Sequence, residues 1–190
     1  MGKLIFLPLL AFFIFVEMSV CQVTNISSCS ALQAISQNLG GSFQLTQSID
    51  CTGFSLAPIG NSTLYFKGTF NGQNYSILNL TINNLPGSSN VGVFGFASRA
   101  TITNFTLVNP NLTGTNSSNV GFVFGWANAC TISFIRVLAS NSSRPNILLA
   151  QNSAGSIGGK MVGGNIINCT VQNTVVNITG KNFFSCLNFR

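Results

Sequence analysis

Residues 22–190 contain no histidine and no glutamate, and Asp50 is their only side-chain carboxylate. Hydrolysis of a glycosidic bond normally needs two carboxylates flanking it. A calcium site of the kind found in polysaccharide lyases needs several acidic oxygen donors. A lone Asp50 supplies neither, and its position beside Cys51 fits a local hydrogen bond to backbone at a turn. A cysteine nucleophile would have no histidine to activate it. Zinc chemistry is disfavoured too, since no Cys-x-x-Cys pair is present. The residues therefore predict a non-enzyme with no cofactor and no metal.

Three other side-chain types remain as candidates. Ten Asn-x-Ser/Thr sequons occur. Asn61, Asn111, Asn116 and Asn141 lie in Ser/Asn/Gly-rich intervals that read as loops, so they are the expected glycan acceptors. Asn79, Asn104 and Asn168 align just before an inward apolar residue and read as corner residues, because Asn tolerates left-handed backbone. Thr81, Thr106, Arg136 and Thr170 align as an outward row, a candidate binding face for glycans or ice. Thr also simply favours strands, and Arg136 interrupts the row. Cys29, Cys51, Cys130, Cys169 and Cys186 form an odd set, so at least one stays free or pairs between chains. Cys29 precedes an expected helix and Cys51 lies at the first coil, so a Cys29–Cys51 disulfide would tie that helix down.

The elements that position these residues come from a repeat. Asn90–Asn109 (NVGVFGFASRATITNFTLVN), Asn119–Asn141 (NVGFVFGWANACTISFIRVLASN) and, more weakly, Ala154–Asn173 (AGSIGGKMVGGNIINCTVQN) align, and SILNLTIN ends an earlier copy. In register, Ile77, Ile102, Ile132 and Ile166 form one apolar column. Leu80, Phe105, Ile135 and Cys169 form a second, and Ile82, Leu107, Val137 and Val171 a third. Each tail therefore reads apolar, two residues, apolar, one residue, apolar. Side chains on a strand alternate faces, so a spacing of three requires a bend. A bend at the same place in every copy is a corner, and copies of 25 to 34 residues with corners are turns of a parallel β-helix. Gly92 and Gly95, Gly121 and Gly125, and Gly155 and Gly158 flank the large apolar residues and serve turns or close backbone approach.

The flanks differ from the repeat. Residues 1–21 have a basic Lys3, an apolar run from Leu4 to Val16 broken by Pro8, and small residues before Cys21, the layout of a cleaved secretory signal. An uncleaved anchor is the competing reading. Residues 22–52 are expected to hold an N-terminal cap helix and the first strands. There Ser30 and Gln33 form a capping-box pattern, Leu32, Ile35 and Leu39 share a face, and Gly40-Gly41 ends the helix. Residues 53–176 carry the solenoid repeats. Residues 177–190 are an atypical tail in which Phe183, Phe184, Leu187 and Phe189 crowd together. It is read either as an incompletely covered end that packs on a partner through Cys186, or as a cap folded over the last coil.

The motifs FKGTFNGQNYSILNLTIN, NVGVFG and ATITNFTL resemble the GLUG repeats of secreted and cell-surface proteins, and SCSALQAISQNLGGSFQLTQSIDC resembles the segment that leads into them. The resemblance spans about Cys29 to Val176. Ser156-Ile157-Gly158-Gly159 follows the motif only loosely and GKNFFSCLNFR departs from it. The family implies a β-solenoid at the cell exterior, often within larger adhesins, and no shared catalytic residues. Charge adds little: the seven cations Lys67, Arg99, Arg136, Arg144, Lys160, Lys181 and Arg190 are scattered rather than gathered in the dense stripe that nucleic acid requires. The expectation is a secreted, glycosylated, all-β solenoid whose partner is a surface glycan or another extracellular protein, with no membrane span after signal cleavage. A pectin-lyase-like carbohydrate-active enzyme and an ice-binding protein are the alternatives.

Overall fold

The computed structural model describes residues 22–83, 89–113, 117–139, 146–150, 153–178 and 182–183. Their strands pair in parallel and wind into a β-solenoid of about four turns. The main sheet runs Val23–Ile26, Ser42–Leu45, Thr69–Asn71, Thr101–Val108, Phe124–Leu138 and Gly158–Ile167 in that order. A second sheet holds Ser55–Leu56, Thr81–Asn83 and Asn111–Thr113. A third holds Asn90–Val91, Asn119–Gly121, Ser153–Gly155 and Asn182–Phe183. Among the described residues no helix is long and apolar enough to cross a membrane.

The corners are left-handed residues. Asn104, Phe134 and Asn168 have φ of 59°, 55° and 52° and stack between paired strands. Arg99, Ala129 and Gly163, at 55°, 51° and 68°, make a second stack, and Asn79, Asn109 and Asn173, at 53°, 51° and 56°, fall at a third. A positive φ reverses the alternation of side chains, so each corner lets two inward residues stand three apart in sequence. Asn suits this backbone. It also adds rungs: Asn109 Nδ2 donates to Asn79 Oδ1 at 3.5 Å, and Asn173 Nδ2 to the Ala139 carbonyl at 3.1 Å.

Inward side chains meet in register. Ile102 pairs with Ile132 and Ile132 with Ile166, while Leu107 pairs with Val137 and Val137 with Val171. Phenylalanine fills the wider places: the Phe70 ring lies 5.4 Å from Phe105 and 5.7 Å from Phe94, and Phe66 lies 4.7 Å from Phe94. Ile166 is 39% exposed, and each of the other, buried side chains contributes roughly 1.5–3 kcal/mol of transfer free energy.

The first copy departs from the sequence alignment. Ile77 pairs with Leu107, not Ile102, and Ile82 pairs with Leu112, not Leu107. Phe70 takes the place beside Ile102. Ile77 and Ile82 therefore fall one segment later along the coil than their apolar spacing suggests, and the corner before them is wider. Where later coils turn on a single residue, this one turns through Gly72-Gln73-Asn74-Tyr75, with Gln73 and Asn74 both left-handed. Asn71 Oδ1 accepts from Gln73 N, and Tyr75 N donates to the Gly72 carbonyl. The two extra residues change the offset to the next coil from 32 (Thr69 to Thr101) to 30 (Ser76 to Thr106). Asn79 consequently stacks with Asn109 and not with Asn104 and Asn168.

The N-terminal end also differs in detail. The helix spans Cys29–Ala34 and continues as a 3-10 turn over Ile35–Gln37. Its N-cap is Ser28, whose hydroxyl accepts from Ala31 N, so Ser30 does not cap it. Gln33 instead clamps Ala57: its Nε2 donates to the Ala57 carbonyl and its Oε1 accepts from Ala57 N. Leu32 and Ile35 are fully buried. The helix does not cover this end alone, because Val23–Ile26 pairs with Ser42–Leu45 as the outermost strand. The Cys29–Cys51 disulfide forms as predicted, with Cα atoms 5.7 Å apart.

Candidate functional site

The predicted outward row is only partly assembled. Thr106, Arg136 and Thr170 stand in register on one face. Thr81 does not join them: it pairs with Asn111 and Ser55 on another sheet, and Ser76 occupies the place beside Thr106. The displacement follows because SILNLTIN pairs one segment later along the coil than its apolar spacing suggests, which carries Thr81 onto the second sheet. Arg136 is exposed between two half-buried threonines, so this face is neither flat nor chemically uniform.

The candidate acceptors also separate. Asn61 is exposed, and its Oδ1 accepts from Thr63 N and Leu64 N in a surface turn. Asn111 is exposed but lies on the strand Asn111–Thr113 rather than in a loop. Asn116 and Asn141 lie outside the described residues, as do the leader at 1–21 and Cys186. Asn79 Nδ2, the atom a glycan would occupy, donates instead to Asp50 Oδ1 and Thr52 Oγ1, both at 3.1 Å.

Asp50 does what a turn carboxylate does. Its Oδ1 accepts from Thr52 Oγ1 at 2.7 Å, Thr52 N at 3.0 Å and Asn79 Nδ2 at 3.1 Å. The Thr52 hydroxyl, then the Asn79 amide and the Thr52 backbone, hold its carboxyl below the usual carboxylate range. The thiols are equally committed to structure. Cys130 and Cys169 are free and buried, and burial pushes both above the ordinary thiol value. They remain protonated small hydrophobes. No group of three or more His, Cys, Asp or Glu side chains that could hold a metal occurs among the described residues.

A different set of residues forms the most distinctive outward feature. Phe96 pairs with Trp126, and Trp126 with Lys160. The bridge between Phe66 and Ala97 places Tyr65 beside Phe96 at the start of the same row. Ring centroids are 5.9 Å apart for Tyr65 and Phe96, and 5.1 Å for Phe96 and Trp126. Lys160 Nζ sits 4.5 Å from the Trp126 ring centre, a cation–π contact. The flanking Phe66, Ala97 and Ala127 are fully buried, so the row faces out of the core. Tyr65 is exposed and Phe96, Trp126 and Lys160 are half-buried. Trp126 Nε1 is buried and has no hydrogen-bond partner among the described residues.

The signal for this row was present as VFGF and VFGW. In a regular strand, residues two apart share a face, which makes Phe94 and Phe96 look like a pair of core rings. Phe94 packs on Phe66 and Phe70, whereas Phe96 packs on Tyr65 and Trp126. Regular alternation therefore starts only after Gly95, where a Cβ would fall 2.6 Å from the Gly60 carbonyl oxygen. Comparison with family models, with curated proteins and with solved structures found no match to this chain.

Proposed function

We propose that this chain is a non-catalytic extracellular solenoid that binds carbohydrate on an outward face. The observation that carries the reading is the aromatic row Tyr65–Phe96–Trp126. Aromatic rings half-open to solvent on a rigid sheet offer apolar area at little entropic cost, and the apolar faces of sugar rings pack on such surfaces. Because each ring comes from a different coil, the row runs along the solenoid axis and suits a linear chain. The disulfide and the leader expected at residues 1–21 support an oxidising, extracellular setting. So does the motif-level resemblance to GLUG repeats.

Two alternatives have less support. Ice binding calls for a flat and regular threonine face, and the displacement of Thr81 together with exposed Arg136 breaks one. Polysaccharide cleavage would have to use Asp50, which three hydrogen bonds already fix in a turn. A glycan array probed with the purified protein tests the proposal. Binding to a defined set of glycans, lost in Phe96→Ser with the far-ultraviolet spectrum unchanged, is expected. Absence of binding to any glycan, or binding indifferent to Phe96→Ser, would refute it.

A further inference from the structure

Charge on the same face narrows the ligand class. Lys67 follows Tyr65 by two residues, with fully buried Phe66 between them, so Tyr65 and Lys67 share the outward side. The Phe66–Ala97 bridge then sets Lys67 beside Ser98, and that row continues through Asn128 to Val162. Arg99 follows at the corner, exposed and left-handed. At the far end of the aromatic row stands Lys160. The face thus carries cations at both ends of its rings, with the Asn128 amide between. The one side-chain carboxylate of residues 22–190 is elsewhere: Asp50 pairs with Leu78, next to the Asn79 corner, and not with any residue of the aromatic row.

We propose that this face binds an acidic polysaccharide, a linear chain of sugar rings bearing carboxylate or sulfate groups. The proposal rests on the carbohydrate reading above. Sugar faces lie on Phe96 and Trp126, while Lys67, Arg99 and Lys160 pair with the acid groups. No side-chain carboxylate opposes them on this face among the described residues, so the cations there attract a polyanion. The aromatic row distinguishes this from mere charge attraction, because it requires sugar rings and not only anions. The paired cations distinguish it from a neutral-glycan platform.

The test is a binding titration of the full chain with three probes: polygalacturonate for carboxylates, heparin for sulfates and cellohexaose as a neutral chain. We expect at least one acidic probe to bind tenfold or more tightly than cellohexaose, and to weaken as salt rises from 0.05 to 0.5 M. Lys67→Gln with Lys160→Gln should weaken acidic binding about tenfold while leaving the melting temperature within a few degrees. Phe96→Ser should weaken it by a similar factor. Tight binding of cellohexaose alone would overturn the acidic assignment and leave the carbohydrate reading standing, whereas failure of all three probes together with a blank glycan array would end both. Acidic binding that survives Phe96→Ser, or that is lost in Arg136→Gln but not in the double lysine variant, would place the ligand on another face and overturn the proposal.

Discussion

At the N-terminal end of the solenoid, Leu32 and Ile35 are fully buried, the Cys29–Cys51 disulfide closes a 22-residue separation, and Gln33 clamps Ala57 by two hydrogen bonds. In the coil that carries Gly158–Ile167, Val162, Ile166 and Ile167 are 47%, 39% and 46% exposed. Ile166 stands directly in register with Ile132, which is fully buried. One column therefore contains the same side chain in two environments. In a solenoid each coil contacts only its neighbours, so local stability follows local packing. On that basis the middle coils and the disulfide-tied end are expected to hold the fold, and the coil after them to open before the rest.

Substitution within that column gives the largest effect. Ile132→Ala should cost about 2–5 kcal/mol through the lost methylenes and the cavity. Ile166→Ala should cost less than about 1.5 kcal/mol, since part of its surface is already wet. Chemical denaturation of both variants checks this, and equal losses would erase the contrast between the coils. Opening the disulfide with Cys29→Ser and Cys51→Ser should cost about 3 kcal/mol by the chain-entropy estimate for a loop of this size. A loss below about 1 kcal/mol would show that the helix and its clamp hold that end unaided.

The coils also differ at their corners. Phe134 occupies at φ 55° the position that Asn104 and Asn168 fill in the neighbouring coils, and it is 53% exposed. Phe134→Asn should stabilise by about 0.5–1 kcal/mol, because Asn accepts left-handed backbone more readily. A drop in melting temperature would mean that the ring makes contacts that outweigh the strain. The smallest effect is on pH. Asp50 has a folded pKa below its unfolded value, so its contribution is present above the unfolded carboxylate range and is lost as pH falls through the folded value. With no histidine or glutamate in residues 22–190, thermal stability should stay flat between about pH 5 and pH 8 and decline only in acid near about pH 4 and below. Asp50→Asn should remove most of that decline.

The copies that begin at Asn90, Asn119 and Ala154 were legible in the sequence because inward columns and corners both repeat. Ile102, Ile132 and Ile166 meet as aligned, and so do Leu107, Val137 and Val171. The copy ending in SILNLTIN was misaligned because its apolar spacing fits the same template one segment out. What decides the register is Phe70, which takes the place beside Ile102 and leaves Ile77 to pair with Leu107. Thr81 was lost from the outward row for that reason. The aromatic row was illegible for a different one. Alternation cannot distinguish an inward from an outward ring when the strand's phase changes at a close backbone approach such as Gly95.

Trp126 is the single tryptophan of the chain and is the last ring of the aromatic row, between Phe96 and Lys160, so its fluorescence reports on that face alone. Titration with the acidic polysaccharide that binds most tightly is therefore the most direct test. The expected result is a saturable change in Trp126 intensity or wavelength whose midpoint matches the binding constant measured independently, and which shifts to higher ligand concentration in Lys160→Gln. Binding that saturates with no change in Trp126 emission would contradict it.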